Sequence, residues 1–483
     1  MSMNFKLIVR VIGMLLLVEG LALLLSAFVA YLSGGDDFAA LALSAGISLA
    51  PGIFALLATS LPSSSLARRE AFFVVTVGWL IISFIGSLPY LISGYIPNIT
   101  DAFFETMSGF TTTGATILDD IEALPRGLLF WRAMTQWLGG MGIIVLALSF
   151  LPAFGIGGMQ LYVAEAPGLS LDKVSPRVYQ TARTIWGLYL LLTLLEMVLL
   201  MLGGLSWFDS ICHSFTTMAT GGFSTKQASI AYWQSPYIQY VVTIFMIIAG
   251  TNFTLMFFAL TGKPGRLFRH EEYRFYIFFI LGFTALIFAG LMLTGTGAVE
   301  AAFRDALFTV VSVMTTTGFV TADYLLWPPV LIMLIFALFF FGASIGSTGG
   351  GVKIMRIGVL LKNSYYELQR LIHPHAVIPV RFNSVSLEPK FVNNILAFFM
   401  FYLGIFFVSS IIMTIFEPDM VTSMGAVASC LANIGPGLGS VGPIFSYSHI
   451  PEVGKWFLSF LMMIGRLELF TVLILFTPAF WKK

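Results

Sequence analysis

Four short glycine-bearing segments recur along the chain, and their residue types suit contact with a bare cation. The copies are TTTGA at 111–115, ATGGF at 219–223, TTTGF at 315–319 and ANIGP at 432–436. A pattern present in four copies is an internal repeat, which has to be explained before any single motif. Four such loops facing one axis would present backbone carbonyls to a cation that has shed its water, as in a selectivity filter.

A short helix is expected to position each loop. Asp101, Asp209 and Asp305 each stand thirteen residues before the repeat glycine, and Thr422 takes this place in the fourth copy. Aspartate is a good N-cap, so we predict that these residues begin the helices. The residues that follow suit two or three turns. Each helix would therefore point its C-terminal end, with roughly half a negative charge, at the ion path.

The rest of the chain is apolar enough to hold these elements in a membrane. Of 483 residues, 58% are hydrophobic and 10% are charged, whereas about a quarter of a soluble protein is charged. Apolar runs at 143–151, 188–202, 330–341 and 395–416 belong to segments that can cross ~30 Å of hydrocarbon. The composition indicates a polytopic membrane protein.

We predict an all-α fold with four pseudo-symmetric repeats around one pore. Each repeat consists of an outgoing helix, a pore helix, a filter loop and a returning helix, with a glycine-rich point in the returning helix at Gly140, Gly250, Gly346 or Gly465. The predicted units are an N-terminal two-helix hairpin at 1–70 and pore repeats at 71–152, 180–261, 272–360 and 391–481. The total is ten transmembrane helices and four pore half-helices.

Charge placement predicts the orientation. Most of the 25 lysines and arginines fall on the side opposite the filters, which the positive-inside rule makes cytoplasmic. Both termini are then cytoplasmic. Acids such as Asp36, Asp119 and Asp323 fall on the filter side, where an acidic vestibule would concentrate cations.

A second glycine cluster interrupts the third returning helix at 342–351, with the sequence GASIGSTGGG. Irregular backbone at membrane depth is tolerated only where it lines a cavity or is buried in protein. The first five residues also fit G-x-S-x-G, the pattern of a serine hydrolase, but that reading needs a strand-to-helix elbow and a histidine partner. The run lacks the lysine of a phosphate-binding loop.

Several polar residues lie within spans, where charges are costly and tend to mark function. Arg466 and Glu468 are two positions apart and point to different helix faces. We interpret Arg466 as an electrostatic barrier that faces the pore. Asn252 could line the same cavity or bond between helices. Glu19 and Glu196 could serve as proton or sodium coupling sites or pair between helices, and we interpret Lys353 and Arg356 as inner-surface anchors.

The sequence resembles the TrkH family of bacterial potassium uptake subunits, in the superfamily that includes Ktr and plant HKT transporters. The resemblance runs along nearly the whole chain. Its markers are ITDAFFETMSGFTTTGAT (99–116), QWLGGMGIIVLA (136–147), GGMQLYVAEAPG (157–168), HSFTTMATGGFSTKQASI (213–230), SIGSTGGGVKIMRI (344–357), LANIGPGLG (431–439) and GRLELFTVLILFTPAFW (465–481).

The resemblance implies a potassium filter with a gate beneath it. The implied filter residues are Thr112, Thr113, Gly114, Thr220, Gly221, Gly222, Thr316, Thr317, Gly318, Asn433, Ile434 and Gly435. The implied gating residues are Gly346, Ser347, Thr348, Gly349, Gly350, Gly351 and Arg466. Glycine in all four filter copies favours potassium as the transported ion, because serine in the first copy accompanies sodium preference in some relatives.

The resemblance also implies a homodimer in the bacterial inner membrane, in contact with lipid, and a cytosolic nucleotide-binding regulatory subunit. Nucleic acid is not an expected partner. The residues leave three alternative functions open: a sodium-selective or proton-coupled symporter, an intramembrane hydrolase and a non-conducting scaffold.

Overall fold

The computed structural model describes residues 3–59, 67–140, 178–295 and 298–482. Within these ranges the regular secondary structure is helical except for one two-stranded hairpin, which confirms the all-α class. Residues 60–66 of the predicted N-terminal hairpin and 141–152 of the first repeat lie outside the described residues, as does the motif at 157–168.

The N-terminal hairpin forms as predicted. Its helices are α1 (Phe5–Ser33) and α2 (Phe38–Ala58), and Gly34 ends α1 in the left-handed region with φ 66°. The two helices approach closely, because a Cβ built on Gly13 would lie 2.6 Å from the Cβ of Ala55. Small residues therefore let the pair pack tightly, as in other membrane helices.

The first two repeats follow the predicted order of outgoing, pore and returning helices. Repeat 1 contains α3 (Arg68–Ser93), α4 (Ile99–Phe110) and α5 (Arg126–Gly140). Repeat 2 contains α6 (Val178–Leu202), α7 (Trp207–Met218), α8 (Pro236–Ala249) and α9 (Phe253–Leu260), and the short α10 (Pro264–Arg269) leads to repeat 3.

The last two repeats have the same order. Repeat 3 contains α11 (Glu271–Leu293), α12 (Val299–Met314), α13 (Pro329–Leu338) and α14 (Ile354–Ile372), followed by β1 (Arg381–Phe382) and β2 (Val385–Ser386). Repeat 4 contains α15 (Pro389–Met413), α16 (Met420–Ala432), α17 (Glu452–Arg466), α18 (Leu469–Leu473) and α19 (Pro478–Trp481). The pore helices are α4, α7, α12 and α16.

Three returning helices are broken near their glycine-rich points. The chain bends by 108° between α8 and α9, just beyond Gly250. It bends by 116° between α17 and the helical segment that follows it, next to Gly465. In repeat 3 the helix stops at Leu338, and regular helix resumes only at Ile354. The residues that follow Gly140 in repeat 1 lie outside the described part.

The number of spans is only partly supported. By length and composition, six of the described helices can cross a membrane, or eight if each bent pair counts as one span. Helix α13 has 10 residues, and the continuation of α5 is not among the described residues. The predicted total of ten spans stays a prediction.

The prediction that Asp101, Asp209 and Asp305 cap the pore helices is wrong. The N-cap residues are Asn98, Ser206, Ala298 and Asp419, so the predicted residues lie inside the helices. Helix α12 begins one turn earlier than its equivalents. The shared aspartate has a different role in repeats 2 and 3, where Asp209 accepts from Thr225 and Asp305 from Thr321, beyond the filter.

Candidate functional site

Each pore helix ends in the same hydrogen-bonded motif, and this motif sets the backbone of the filter loop. In all four repeats, the backbone amide of the residue just before the repeat glycine donates a hydrogen bond. The acceptor is the backbone carbonyl of the residue six positions before the same glycine. The bonds are Thr113 N to Ser108 O at 2.9 Å, Gly221 N to Thr216 O at 2.8 Å, Thr317 N to Ser312 O at 2.8 Å and Ile434 N to Ser429 O at 3.0 Å. This is the Schellman ending of a helix, which places the preceding residue in the left-handed region.

The filter backbone is accordingly left-handed at two positions per loop. The angles φ are 53° at Thr112, 52° at Thr220, 59° at Thr316, 58° at Asn433, 83° at Gly114, 79° at Gly222, 79° at Gly318 and 101° at Gly435. Positive φ costs little at glycine but strains β-branched threonine. Such strain at the same position of three loops indicates a functional constraint on the carbonyl directions.

The four loops close into one ring. The contacts join each repeat glycine to a carbonyl oxygen of the next repeat. A Cβ built on Gly114 would lie 2.2 Å from Gly221 O, one on Gly222 1.9 Å from Thr317 O, one on Gly318 1.9 Å from Ile434 O, and one on Gly435 2.7 Å from Thr113 O. The structure therefore brings all twelve predicted filter residues together, and any side chain at the four glycines would clash with the neighbouring loop.

A small cavity lies on the ring and contacts every repeat. It measures about 60 Å³, and its lining includes Gly114, Gly222, Gly318 and Gly435. Lys226 also lines it and forms an ion pair with Glu122 at 2.7 Å, which raises the pKa of the lysine. The mouth of the ring is thus polar and carries both signs of charge.

Gln136 clamps the second filter loop, a role that the sequence analysis missed. Its side chain is fully buried, and its amide nitrogen donates to Gly221 O at 2.7 Å while its oxygen accepts from Phe223 N at 3.0 Å. One side chain from repeat 1 therefore satisfies the backbone on both sides of Gly222. The only sequence signal was a polar residue in the returning helix of repeat 1, four positions after Arg132.

A buried ion pair supports the ring from behind and was also missed. Arg132 Nε lies 2.6 Å from Glu105 Oε1, with side chains 2% and 0% exposed. Arg132 donates to Ser224 O at 2.9 Å and stacks 3.5 Å from the ring centroid of Phe223, while Glu105 accepts from Ile117 N at 3.0 Å. The pair joins the loops of repeats 1 and 2, and its charges are satisfied by hydrogen bonds.

The glycine cluster of repeat 3 lies against the inner ends of the pore helices. Gly350 N donates to the hydroxyl of Thr316 at 2.7 Å, and the hydroxyl of Thr348 donates to Met218 O at 3.0 Å. A Cβ on Gly350 would lie 2.8 Å from Ala432 O. This segment, residues 342–353, is called the intramembrane loop below, and it touches three of the four repeats directly beneath the ring.

Arg466 fastens the intramembrane loop to repeat 1. Its guanidinium donates to Thr348 O at 2.6 Å, Gly139 O at 2.6 Å and Gly140 O at 2.8 Å. Glu468 does not pair with it and instead binds Arg356 at 2.6 Å. The predicted separation of Arg466 from Glu468 is confirmed, and the positive charge lies beside the loop.

The remaining polar candidates have mixed outcomes. Asn252 caps α9 at the break of its helix, accepting from Thr254 N and Leu255 N. The ammonium of Lys353 donates to Gly349 O at 2.6 Å within the intramembrane loop, and its role as an inner-surface anchor stays a prediction. Glu19 and Glu196 are fully buried, and among the described residues their carboxylate oxygens have no partner in normal hydrogen-bond geometry.

The fold and this ring define a multi-pass membrane protein built from four pore-loop repeats. Comparison with known proteins agrees, since the family model for TrkH, described as a cation transport protein, matches residues 42–483. The chain belongs to the TrkH family.

Its relatives are similar along their entire length. The Trk system potassium uptake protein TrkH of Halomonas elongata is 38% identical over 484 residues, and the protein of the same name from Escherichia coli strain K12 is 39% identical over 488; each match covers 100% of both chains. The crystal structure of the potassium transporter TrkH from Vibrio parahaemolyticus matches with a TM-score of 0.90 at 37% identity, covering 99% of this chain and 100% of that one. The chain is therefore a transporter and not an enzyme, which excludes the hydrolase.

Proposed function

We propose that this protein takes up potassium across the bacterial inner membrane and is the pore-forming subunit of its uptake system. The observation that carries the proposal is the closed ring of four loops, with left-handed backbone at the same two positions in each. Carbonyl oxygens that face a common axis replace the water shell of an alkali ion. The relatives' printed names, potassium uptake proteins, favour potassium as the ion.

Direct ion contacts come from the backbone of the twelve filter residues. Thr113, Gly221, Thr317 and Ile434 supply the carbonyl oxygens at the loop-to-loop contacts, and the residues two positions before the glycines supply a second set. The pore helices end immediately before these residues, so their C-terminal dipoles favour a cation there.

The gate consists of the intramembrane loop and Arg466. The loop lies beneath Thr316 and the ends of three pore helices, where it blocks the path of an ion that leaves the filter. The Arg466 guanidinium adds an electrostatic barrier at the same level. Opening requires the loop to move away from Thr316, and the glycines at 346, 349, 350 and 351 provide the backbone freedom for that movement.

A coupled symporter is the second candidate within the same family. The buried carboxyl groups of Glu19 and Glu196 favour it, because an isolated acid within a membrane span is a common proton or sodium site. Potassium flux that depends on a proton or sodium gradient, and that loses this dependence in Glu196→Gln, would identify the symporter.

The assembly is proposed to be a homodimer, in contact with lipid, that binds a soluble nucleotide-binding regulatory subunit at its basic cytoplasmic loops. Both termini lie on that side. The relatives' names refer to a Trk system, which is consistent with more than one component. An affinity pull-down from cytosolic extract should return a nucleotide-binding protein, and a monomeric mass in detergent would contradict the dimer.

Flux into liposomes tests the proposal as a whole. Purified protein in potassium-free vesicles should admit a potassium tracer down its gradient, whereas empty vesicles should not. A protein that binds no ion and passes none, with or without cytosolic extract, would be a scaffold, and the proposal would be wrong.

A further inference from the structure

A large cavity opens on the face that carries the predicted cytoplasmic loops. Its volume is about 860 Å³. Its walls come from the broken returning helix of repeat 2, from α10 and the start of α11, and from the hairpin of β1 and β2. The ring and the gate described above do not account for it.

Unpaired positive charge dominates the cavity. Arg266, Arg269, Arg274 and Arg381 line it, and none of the four forms an ion pair with any described residue. Arg266 only packs against the ring of Phe258, at 4.6 Å. The fifth cation of the lining, Lys362, is neutralised by Glu271.

Hydrogen bonds hold the walls in place. Glu271 N donates to Asn383 Oδ1 at 2.7 Å, and Asn383 N donates back to Glu271 Oε2 at 2.8 Å. Lys362 donates to Arg381 O at 2.9 Å. The β-hairpin is therefore fixed to the start of α11, and Arg381 is presented from a stable position.

The inner end of the cavity is the intramembrane loop itself. Ile345 lines the cavity, and its amide donates to Glu272 Oε1 at 2.7 Å. The Ile345 side chain belongs to a small apolar cluster with Met355, Val359 and Phe382, which joins the loop to the hairpin. On the opposite wall, Phe253 N donates to Gly346 O at 3.0 Å. These contacts connect the arginine-bearing walls directly to the proposed gate.

We propose that this cavity binds a phosphate-bearing anion and that binding shifts the intramembrane loop. Arginine is the residue best suited to phosphate, because its planar fork donates two parallel hydrogen bonds. The volume falls in the range of small-ligand pockets, which favours a compact anion over a protein surface. The two sources of such a group are a soluble phosphate compound and the headgroup of an anionic lipid in the inner leaflet.

Binding is measured first, on purified full-length protein with inorganic pyrophosphate as the probe. The cavity variant is Arg269→Gln with Arg381→Gln. The control is Lys6→Gln with Lys390→Gln, which removes the same charge from exposed sites on the same face and outside the cavity lining. We expect the cavity variant to bind pyrophosphate at least about tenfold more weakly and the control to bind as the wild type does. Equal affinity in the two variants would overturn the assignment of the site.

Flux distinguishes the two sources and tests the coupling, which rests on the proposed function. Potassium flux is compared in vesicles of phosphatidylcholine alone, with and without pyrophosphate, and in vesicles that also contain phosphatidylglycerol. A change caused by pyrophosphate identifies a soluble anion, a change caused by phosphatidylglycerol identifies a headgroup, and either change should disappear in the cavity variant alone. Potassium flux that changes with neither pyrophosphate nor phosphatidylglycerol would overturn the coupling. The absence of flux under every condition would contradict the proposed function and leave the binding result intact.

Discussion

At the scale of single residues, the ring of four loops is held by side chains that lie behind the proposed ion contacts. Gln136 satisfies a carbonyl and an amide on either side of Gly222, and the pair of Arg132 and Glu105 connects the same loop to repeat 1. These groups hold the second loop, in which Thr220 has a positive φ of 52° that strains a β-branched residue. The proposed filter therefore predicts that ion selection depends on buried polar contacts behind the ring as well as on its carbonyls.

Substitution of Gln136 by leucine should impair selection more than folding. Leucine leaves Gly221 O and Phe223 N without a buried partner, at a cost of about 1–3 kcal/mol for each group. Relaxation of the second loop should lower discrimination between potassium and sodium by about tenfold. The measurement is the ratio of potassium to sodium flux in liposomes.

The matched control is Gln239→Leu in the returning helix of repeat 2. Gln239 is also buried, but its amide donates only to Trp233 O and does not contact the filter. It should retain the wild-type flux ratio. If both variants keep that ratio, the clamp has no part in selection.

At the scale of elements, breaks in the returning helices position the proposed gate. Helix α8 stops before Gly250, α13 stops at Leu338 and α17 stops at Arg466. Glycine at these points allows close approach to a pore helix, as at Gly465, whose Cβ would lie 2.1 Å from Leu431 O. At the α8 break, Gly250 O accepts from Ser344 N at 3.0 Å and Ala249 O accepts from Thr348 N at 3.4 Å, so the freed carbonyls bind the intramembrane loop.

Arg466→Ala should raise potassium flux. At ~6 Å and an effective dielectric near ~20, the arginine repels a potassium ion by about 3 kcal/mol, or about a hundredfold in occupancy. Removal of the side chain also releases Thr348 O, which loosens the loop. The rate of tracer entry into liposomes measures the effect.

Arg466→Lys is the control because it retains the charge and loses the forked contacts. Flux near the wild-type rate in this variant, with a higher rate in Arg466→Ala, supports the electrostatic barrier. Unchanged flux in Arg466→Ala would show that the arginine is no barrier.

The sequence predicted the repeats and the loops better than the ends of the helices. Glycine spacing located all four filter loops, since a residue without a side chain is required at each contact. The same spacing misassigned the helix caps, because Asp101 and Asp209 occur three residues after the true caps Asn98 and Ser206. A polar residue near the start of a helix is equally compatible with the N-cap position and with the first turn of the helix.

At the scale of the whole molecule, the proposed pore consists of four separate segments that meet only after folding. Sequence identifies the threonines and glycines of each loop but not the dihedral angles, which follow from the helix-ending hydrogen bonds. It also cannot show that Arg132 and Gln136 contact the loop of another repeat. Those contacts join residues far apart in the chain and have no local pattern.

The broken helices likewise limit how well the number of membrane spans can be predicted from the sequence. Composition predicted ten spans, whereas the described residues contain six continuous helices of sufficient length and two bent pairs. Breaks within apolar segments have little effect on hydropathy. They are nevertheless the places where the intramembrane loop and Arg466 meet.

The reversal potential of the purified protein in opposed potassium and sodium gradients tests the central claim most directly. If the ring of four loops selects potassium, the potential should lie near the potassium equilibrium value, and Gly114→Ser, whose side chain would displace the second loop at Gly221 O, should move it towards that of sodium. A wild-type potential at the sodium value, or no difference between the two ions, would contradict the account.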